Sequence, residues 1–415
     1  MTEGDVLDRL DPGVPTALAG VARGSKIRVL IAHNAYQQRG GEDSVVDAEM
    51  ALLRERGHEV TTFLRHNDDL DKMSKLAAAG QMFWSGPTRK DLLQQLRAVR
   101  PDVIHVHNTF PLISPSLYWA ADEAGVPVVQ TLHNFRLHCP QAMYLRDGVV
   151  CEDCLGKVPW RGALRGCYRG SKLQSTALAG MVSVHRVIGT WDRKVTRYIA
   201  LNDFCRNKFI EGGLPAERVV IKPNFVDFER PAAQSRNGFL FVGRLSSEKG
   251  ISVLVDALSL RGEKSSIVRV AGTGPEAPLL TGVSRLEALG ALNGDQVRME
   301  MSSAAALVLP SIWYENFPRT LVEAMGCGLL VIASRIGALA ELVEDGVTGL
   351  LFNPGDAQDL AQKMAWVDAN PQKVAEMGAT ARARYEERYT AERNYEQLIS
   401  IYREAIAAKQ EKVTQ

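Results

Sequence analysis

The sequence predicts an α/β protein of two Rossmann-like domains, whose parallel sheets face each other across a cleft. At 415 residues, the chain is too long for one ordinary hydrophobic core. Two separate runs alternate apolar, strand-like segments with amphipathic helical segments, which is typical of parallel sheets covered by helices on both faces. Because such folds bind ligands at the carboxyl ends of their strands, we expect the functional residues in the cleft.

The first run begins at residue 26. It contains the strand-like segments KIRVLIAHN, HEVTTFL, PDVIHVHN and VPVVQTLHN, with helical segments at about Ser44 to Arg56 and Ser116 to Ala124. We assign residues 26–232 to this first domain. Residues 1–25 are acidic and lack the basic start and apolar core of a signal peptide, so we interpret them as a loose N-terminal tail and expect a cytoplasmic protein.

The second run begins at Asn237, after the polar, proline-containing linker VVIKPNFVDFERPAAQSRNG. It contains the strand-like segments FLFV, SIVRVAGTG, ALVLP, LLVIAS and GLLF, together with the helical segment ISVLVDAL. We assign residues 233–388 to the second domain. Residues 389–415 have helical character, and we expect this C-terminal helix to pack back toward the first domain.

Composition limits the classes of partner. The chain is 46% hydrophobic and 23% charged, with a net charge of +1, so its charge balance gives no reason to expect a nucleic acid partner. No apolar run reaches the length that would span a bilayer. These values are typical of a globular enzyme.

The segment from Ser311 to Ser334 carries two carboxylates, Glu315 and Glu323, between two apolar strands. Pro318 suits the first turn of a helix that starts between them, and a helix N-terminus at the end of a parallel strand attracts anions. Since carboxylates would repel phosphate, we interpret them as acceptors for neutral hydroxyls beside it. A sugar nucleotide has this layout; two solvated glutamates are the alternative.

Several ordered motifs carry a resemblance to a known family. GRLSSEKG, AGTGP, PSIWYENFPRTLVEAMGCGLLVIAS and EDGVTGLLFNPGD resemble the donor-binding half of the retaining glycosyltransferases of family 4, which have the GT-B fold. RGGEDSVV, DVIHVHN and TLHNFRLHCP are similar to the acceptor-side half. The resemblance, over about residues 26–410, implies transfer of a hexose from a nucleoside-diphosphate sugar to a polysaccharide or lipid-linked glycan, with retention.

The resemblance also implies roles for residues at matching positions. Arg244 and Lys249, in a strand-to-helix loop, would bind the diphosphate and stabilise its charge as it leaves; a solvated basic loop is the alternative. Glu315 would contact the sugar and Glu323 the ribose. We predict the catalytic residues His133, Arg244, Lys249 and Glu315, and the donor-binding residues Gly40, Gly41, Gly243, Arg244, Lys249, Gly272, Gly274, Glu315, Phe317, Arg319, Thr320 and Glu323.

Pro318 is a departure from the family pattern. Many members have glycine at this position, where backbone amides meet the sugar and phosphate, whereas proline has no N–H. The contact would therefore pass to the amides of Phe317, Arg319 and Thr320. This difference bears on which sugar is bound.

The implied chemistry is a front-face transfer, in which the acceptor hydroxyl attacks from the side that the diphosphate leaves. No motif supplies a carboxylate for the double displacement of retaining hydrolases. The donor loop carries no D-x-D motif, so we expect that transfer requires no cofactor. Two alternatives stay open: a sugar-nucleotide epimerase of the same architecture, and a non-catalytic relative that binds a sugar nucleotide.

Two histidines lie on the strand DVIHVHN. From their alternation with apolar residues we expect only one of His105 and His107 to face the cleft side of the sheet. His107 lies nearer the end of the strand.

Four cysteines, Cys139, Cys151, Cys154 and Cys167, cluster as C-x11-C-x2-C-x12-C. In a reducing compartment such a cluster more often holds metal than a disulfide. A tetrahedral structural zinc that braces the acceptor side is one interpretation. Reduced cysteines in a loop are the other.

A basic segment follows the cysteines. From Lys157 to Ala200 the only acid is Asp192, and an apolar helical stretch, LAGMVSVHRVIG, lies within it. The segment contains nine basic residues, Lys157, Arg161, Arg165, Arg169, Lys172, Arg186, Arg193, Lys194 and Arg197. A solvated basic face is one interpretation, and peripheral contact with an anionic membrane at its inner face is the other. Phe83 and Trp84 are further candidates for that contact.

Overall fold

The computed structural model describes residues 26–37, 40–227 and 235–414. Within these residues the chain forms two parallel sheets of six strands each and one short antiparallel hairpin. The N-terminal tail assigned to residues 1–25 and the proposed domain boundary at 232/233 lie outside the described residues. The two α/β halves agree with the fold that the sequence predicts.

The described residues of the first half form eight strands and eight α-helices. These are β1 (Arg28–Ala35), α1 (Gly41–Glu55), β2 (Glu59–His66), α2 (Lys75–Phe83), α3 (Gly86–Val99), β3 (Val103–Asn108), α4 (Ser116–Glu123), β4 (Val128–Thr131), β5 (Leu145–Arg146), β6 (Val149–Val150), α5 (Trp160–Arg165), α6 (Lys172–Val187), α7 (Thr190–Arg193), β7 (Arg197–Ala200), α8 (Asp203–Glu211) and β8 (Val219–Ile221). The sheet order is β2-β1-β3-β4-β7-β8, and β5 pairs with β6 as the hairpin.

The second half continues the alternation. Its elements are β9 (Phe239–Val242), α9 (Ile251–Ser259), β10 (Val268–Ala271), β11 (Leu286–Gly290), α10 (Gly294–Ser303), β12 (Ala306–Leu309), α11 (Arg319–Gly326), β13 (Leu330–Ser334), α12 (Gly337–Leu342), β14 (Gly349–Phe352), α13 (Ala357–Ala369), α14 (Pro371–Arg388) and α15 (Ala391–Thr414). The sheet order is β11-β10-β9-β12-β13-β14. In each sheet the strand order changes direction beside the first strand of that half, which is β1 in the first sheet and β9 in the second. Such a switch point forms a crevice at the carboxyl ends of the strands.

The last helix, α15, packs on the first sheet although it follows the second sheet in the chain. Leu398 and Tyr402 of α15 belong to one buried apolar cluster with Val29 and Ile31 of β1. Lys409 also donates to Asp122 over 2.8 Å, which ties the helix to α4. No helix among the described residues combines the length and apolar character needed to cross a bilayer.

One helix start differs from the prediction. Pro318 is the N-cap of α11, with φ −72° and ψ 106°, and the helix begins at Arg319 rather than at the proline. Because the ψ of Pro318 is extended rather than helical, the proline belongs to the loop that precedes the first helical turn. The amides of Arg319 and Thr320 consequently occupy the first turn, where the helix itself offers no partner.

Candidate active site

Two helix N-termini, one from each half, lie next to each other. Helix α1 begins at Gly41 after the loop that follows β1, and α11 begins at Arg319 after the loop that follows β12. A Cβ atom at Gly41 would lie 4.0 Å from Cδ of Arg319. Since first-turn amides have no acceptor within their own helix, the paired N-termini, including Gly40 and Thr320, form an environment that favours an anion.

The loop after β9 is held by the glycines of AGTGP. A Cβ atom at Gly272 would lie 1.8 Å from the carbonyl oxygen of Gly243, and one at Gly274 would lie 2.2 Å from that of Leu245. Leu245 also donates its amide to the carbonyl of Thr273 over 2.9 Å. Only glycine allows these backbones to approach so closely, so the two glycines serve to position the loop that carries Arg244 and Lys249.

Lys249 and Glu315 form a direct ion pair, with Nζ of the lysine 2.6 Å from Oε1 of the glutamate. Ser311 donates its hydroxyl to the same oxygen over 2.8 Å. Glu315 is buried, and the side chain of Lys249 is one-quarter exposed. Lys249 is predicted to bind the diphosphate, and Glu315 is predicted to contact the sugar. The spacing of these residues in the sequence did not indicate that they form an ion pair.

Arg244 differs from Lys249 in its surroundings. Its side chain is exposed, and across the described ranges no carboxylate lies within ion-pair distance of it. It is thus free to bind an anionic ligand, whereas Lys249 already has a carboxylate partner. The two cations of this loop are therefore not equivalent.

The remaining donor-side residues lie around α11. Glu323 is partly exposed, its Oε1 lies 3.6 Å from a guanidinium nitrogen of Arg319, and burial raises the pKa of its carboxyl group. Phe317 is buried against Tyr389, with ring centroids 5.9 Å apart, so its side chain belongs to the core and only its backbone remains for a ligand. The carbonyl of Asn316 accepts a hydrogen bond from the first half.

His133 follows β4 and lines a recess at the carboxyl end of that strand, together with Phe110, Ser114 and Arg136. Its Nε2 lies 2.9 Å from Nδ1 of His107. Burial lowers the pKa of His133 to about 3, so the imidazole is neutral at physiological pH. This places His133 at the cleft side of the first sheet, as the sequence predicts, although its catalytic role stays a prediction.

The expectation that only one of His105 and His107 faces this side is wrong. Residues two apart on a strand share a face. Both rings approach the same carboxylate of α1: Oε2 of Glu49 is 3.7 Å from Nδ1 of His105 and 3.6 Å from Nε2 of His107.

Sequence reasoning missed the polar groups at the start of α1. Asp43 accepts from the amide of Gly40 over 2.8 Å and from Nε2 of His33 over 2.9 Å. Tyr36 donates its hydroxyl to Glu42 over 2.9 Å. Burial raises the pKa of Glu42 to about 8, so this acid is mostly neutral at pH 7 and does not repel an anion. An acid three residues into a helix is a capping signal that could have revealed Asp43.

The four cysteines are all reduced. Burial and then the neighbouring thiols raise the pKa of Cys154 and of Cys167, so the sulfur atoms are close enough to interact electrostatically. However, no three of these thiols lie within 4.8 Å of one another; in the described chain, the group that does so is Glu49, His105 and His107. The sulfur atoms would have to move closer together to share a metal.

We propose that a structural zinc nevertheless binds here, because the metal would displace the thiol protons and take the resulting thiolates as ligands. We expect about one zinc per purified chain by elemental analysis, given four sulfur ligands. Cys151→Ser is expected to lose the metal and Cys327→Ser, outside the cluster, to keep it. The site would be contradicted if the purified protein held no metal and the four cysteines of the cluster reacted as free thiols.

Buried histidines make stability depend on pH. Burial is the main cause that lowers the pKa of seven histidines, namely His33, His58, His105, His107, His133, His138 and His185. The unfolded chain takes up protons below about pH 6.5 while the folded chain does not, so the free energy of unfolding falls there by up to about 1.4 kcal/mol per pH unit and histidine. Urea unfolding at pH 7.5, 6.5 and 5.5 measures this; equal values would contradict it.

Comparison with known families agrees with this geometry. Residues 39–230 match the family described as Glycosyltransferase Family 4, and residues 236–370 match the family described as Glycosyl transferases group 1. The fold and these matches define a glycosyltransferase. The chain belongs to the group 1, family 4 glycosyltransferases.

Individual relatives extend over nearly the whole chain. The phosphatidyl-myo-inositol mannosyltransferase of Mycobacterium leprae is 26% identical over 92% of this chain and 98% of its own length. The D-inositol 3-phosphate glycosyltransferase of Rhodococcus jostii is 25% identical over 88% of this chain and 85% of its own.

Solved structures show the same architecture. HepE of Anabaena, in complex with UDP, superposes with a TM-score of 0.65 at 19% identity, over 90% of this chain and 99% of that chain. The sucrose-phosphate synthase of Thermosynechococcus elongatus superposes with a TM-score of 0.68 at 18% identity, over 92% of this chain and 100% of that chain. These similarities confirm the predicted GT-B fold.

Proposed function

We propose that this enzyme is a retaining glycosyltransferase that moves a hexose from a nucleoside-diphosphate sugar to a glycan, with a lipid-linked or polysaccharide acceptor. The observations that carry the proposal are the anion environment at the paired N-termini of α1 and α11, and the exposed Arg244, which has no ion-pair partner within the described residues. A buried carboxylate, Glu315, lies in the loop that precedes α11 and can accept hydroxyl hydrogen bonds. Together these groups match a diphosphate joined to a sugar.

The donor proposal has support from the solved structures. HepE of Anabaena was crystallised with UDP and with UDP-glucose, and its fold matches this chain. We propose that the donor diphosphate lies between the N-termini of α1 and α11, against Arg244. Glu323 would then accept from the ribose hydroxyls, because its carboxylate lies one turn further into α11.

In the proposed reaction the bond between the anomeric carbon and the diphosphate breaks as the acceptor hydroxyl attacks from the same face. Arg244 and the amides of the two helix N-termini stabilise the charge on the leaving diphosphate. Lys249, held in place by Glu315, adds a second cation. The leaving phosphate oxygen takes the proton of the acceptor hydroxyl. Transfer would require no cofactor.

The acceptor would occupy the recess beside His133. The relatives named for phosphatidyl-myo-inositol and inositol phosphate point to acceptors that carry a phosphate group. Arg136 lines this recess, its guanidinium 4.4 Å from the Phe110 ring centroid, and no carboxylate is among the residues that line the recess. An acceptor with an anionic group near its reacting sugar fits these surroundings.

A lipid-linked acceptor implies contact with a membrane, and the first half presents a surface suited to it. Leu173, Val184 and Val187 of α6 are 76%, 47% and 83% exposed. Their spacing places them on one side of the helix. Trp160 and Leu164 of α5 are also exposed, and both helices lie within the basic segment of the sequence, residues 157–200. We propose that this apolar and basic surface meets anionic lipid at the inner face of the cytoplasmic membrane.

Binding to vesicles tests the membrane contact. We expect the protein to sediment with phosphatidylserine-containing vesicles at low salt and to be released at high salt, because exposed charges are screened. Leu173→Ser with Val187→Ser is expected to weaken binding. Met299→Ser, which replaces an exposed apolar residue of α10, serves as the matched control. Equal binding of the two variants, or no binding at low salt, would contradict the proposal.

Donor screening and an acceptor-dependence assay test the function. Nucleotide sugars are first screened for thermal stabilisation, since a ligand at 100 times its dissociation constant adds about 2.7 kcal/mol. The best donor is then incubated with and without a lipid-linked glycan, and the anomeric configuration of the product is determined by NMR. Conversion without an acceptor would indicate an epimerase. Binding without any conversion would indicate a non-catalytic relative.

A further inference from the structure

Behind His133 lies a fully buried polar cluster that the proposed reaction does not use. Glu49 of α1 and Lys222, just after β8, form an ion pair with Nζ 2.5 Å from Oε1, and neither side chain is exposed to solvent. The second oxygen of Glu49 faces His107 at 3.6 Å. The ammonium of Lys222 already supplies the positive charge that this carboxylate requires.

The contacts of His107 determine which of its nitrogens carries the proton. Burial lowers the pKa of this imidazole well below its usual value, so the ring is neutral, with one donor and one acceptor nitrogen. Nε2 of His107 and Oε2 of Glu49 both lack a hydrogen-bond partner among the described residues. A nitrogen lone pair facing a carboxylate is repelled, whereas an N–H is attracted. The proton therefore belongs on Nε2 of His107.

This assignment fixes the tautomer of His133. With its proton on Nε2, His107 offers a lone pair at Nδ1, which lies 2.9 Å from Nε2 of His133. His133 must then be the donor, so its own proton is on Nε2. Because His133 is neutral as well, its Nδ1 carries a lone pair at the recess that the ring lines.

We propose that Glu49 and His107 are positioning residues that hold His133 as its Nε2–H tautomer, so that Nδ1 accepts a hydrogen bond from a hydroxyl of the bound sugar. The identity of the ligand rests on the proposed function. The tautomer of His133 does not, because it follows from the contacts of His107. Lys222 fixes the orientation of Glu49 through its other oxygen. His105 does not take part in this chain of contacts from Glu49 through His107 to His133, since its two ring nitrogens contact Tyr402 and Thr131 at 2.7 and 2.8 Å.

The tautomer is measured by 15N NMR on the full chain labelled at its eight histidines. The His133 signal is assigned by its loss in His133→Gln. We expect the wild type to show a protonated Nε2 and an unprotonated Nδ1. In the double variant Glu49→Gln with Lys222→Met, the glutamine amide can donate to His107. This reverses both hydrogen bonds and moves the His133 proton to Nδ1.

Turnover with UDP-glucose as the probe, or with the donor found by screening, gives a second readout. We expect kcat/KM of the double variant to fall about tenfold, the equivalent of one lost hydrogen bond of about 1.4 kcal/mol. Tyr402→Phe, which removes only the partner of His105, is the control and is expected to keep both tautomer and turnover. A protonated Nδ1 in the wild type, or an unchanged tautomer in the double variant, would overturn the proposal. If no donor is turned over at all, the proposed function fails, whereas the tautomer result stands by itself.

Discussion

Replacement of Arg244 by alanine is expected to lower the transfer rate by about 100-fold or more, since this is the typical cost of removing one donor that stabilises charge in the transition state. The guanidinium is exposed on the same loop as Lys249, and within the described residues it has no carboxylate partner. Its loss therefore removes a ligand contact without breaking a contact of the fold. Initial rates with the best donor measure the effect.

Two comparisons make this result specific. Lys264→Ala removes an exposed cation from another loop of the same half and is expected to leave the rate unchanged. The melting temperature of Arg244→Ala is expected to equal that of the wild type. If Arg244→Ala retained more than half of the wild-type rate, the donor assignment would be wrong.

Replacement of Lys222 by methionine is expected to lower the free energy of unfolding by about 3 to 5 kcal/mol, because the change leaves the Glu49 carboxylate buried without its counter-charge. The two side chains are completely enclosed, with Nζ 2.5 Å from Oε1. The Lys222 ammonium is a principal reason why the pKa of Glu49 is lowered despite burial. Urea unfolding at pH 7 measures the change.

The double variant with Glu49→Gln separates charge from packing. Neutral groups at both positions leave no unpaired ion, so we expect most of the lost stability to return. A double variant as unstable as Lys222→Met would show that the ion pair is not the cause. The same double variant reports on the His133 tautomer, so stability and catalytic geometry are measured on one protein.

Much of the fold could be predicted from apolar segments alone. FLFV, ALVLP and LLVIAS became β9, β12 and β13, because central parallel strands are buried on both faces and therefore contain few polar residues. β11 was not predicted, because it is not a buried apolar strand. It lies at the sheet edge, its residues Glu287 and Ala288 are exposed, and its sequence LEALG has no strong strand pattern.

The site was less predictable, because its contacts join distant parts of the chain. Glycine spacing around Arg244 and Lys249 indicated a ligand loop, but the pairing of Lys249 with Glu315 spans 66 residues and depends on the crossing from β9 to β12. Glu49 gave no signal at all. It lies in an amphipathic helix, where a glutamate is usually solvated, and only the position of Lys222 accounts for its complete burial.

The packing of α15 has a consequence for exchanging parts between related enzymes. Val29 and Ile31 share one buried apolar cluster with Leu398 and Tyr402 from the far end of the chain. A chimera joined at the linker alone would set one parent's sheet against the other parent's helix. The acceptor-side module to be transplanted is therefore discontinuous: residues 26–227 together with 391–414.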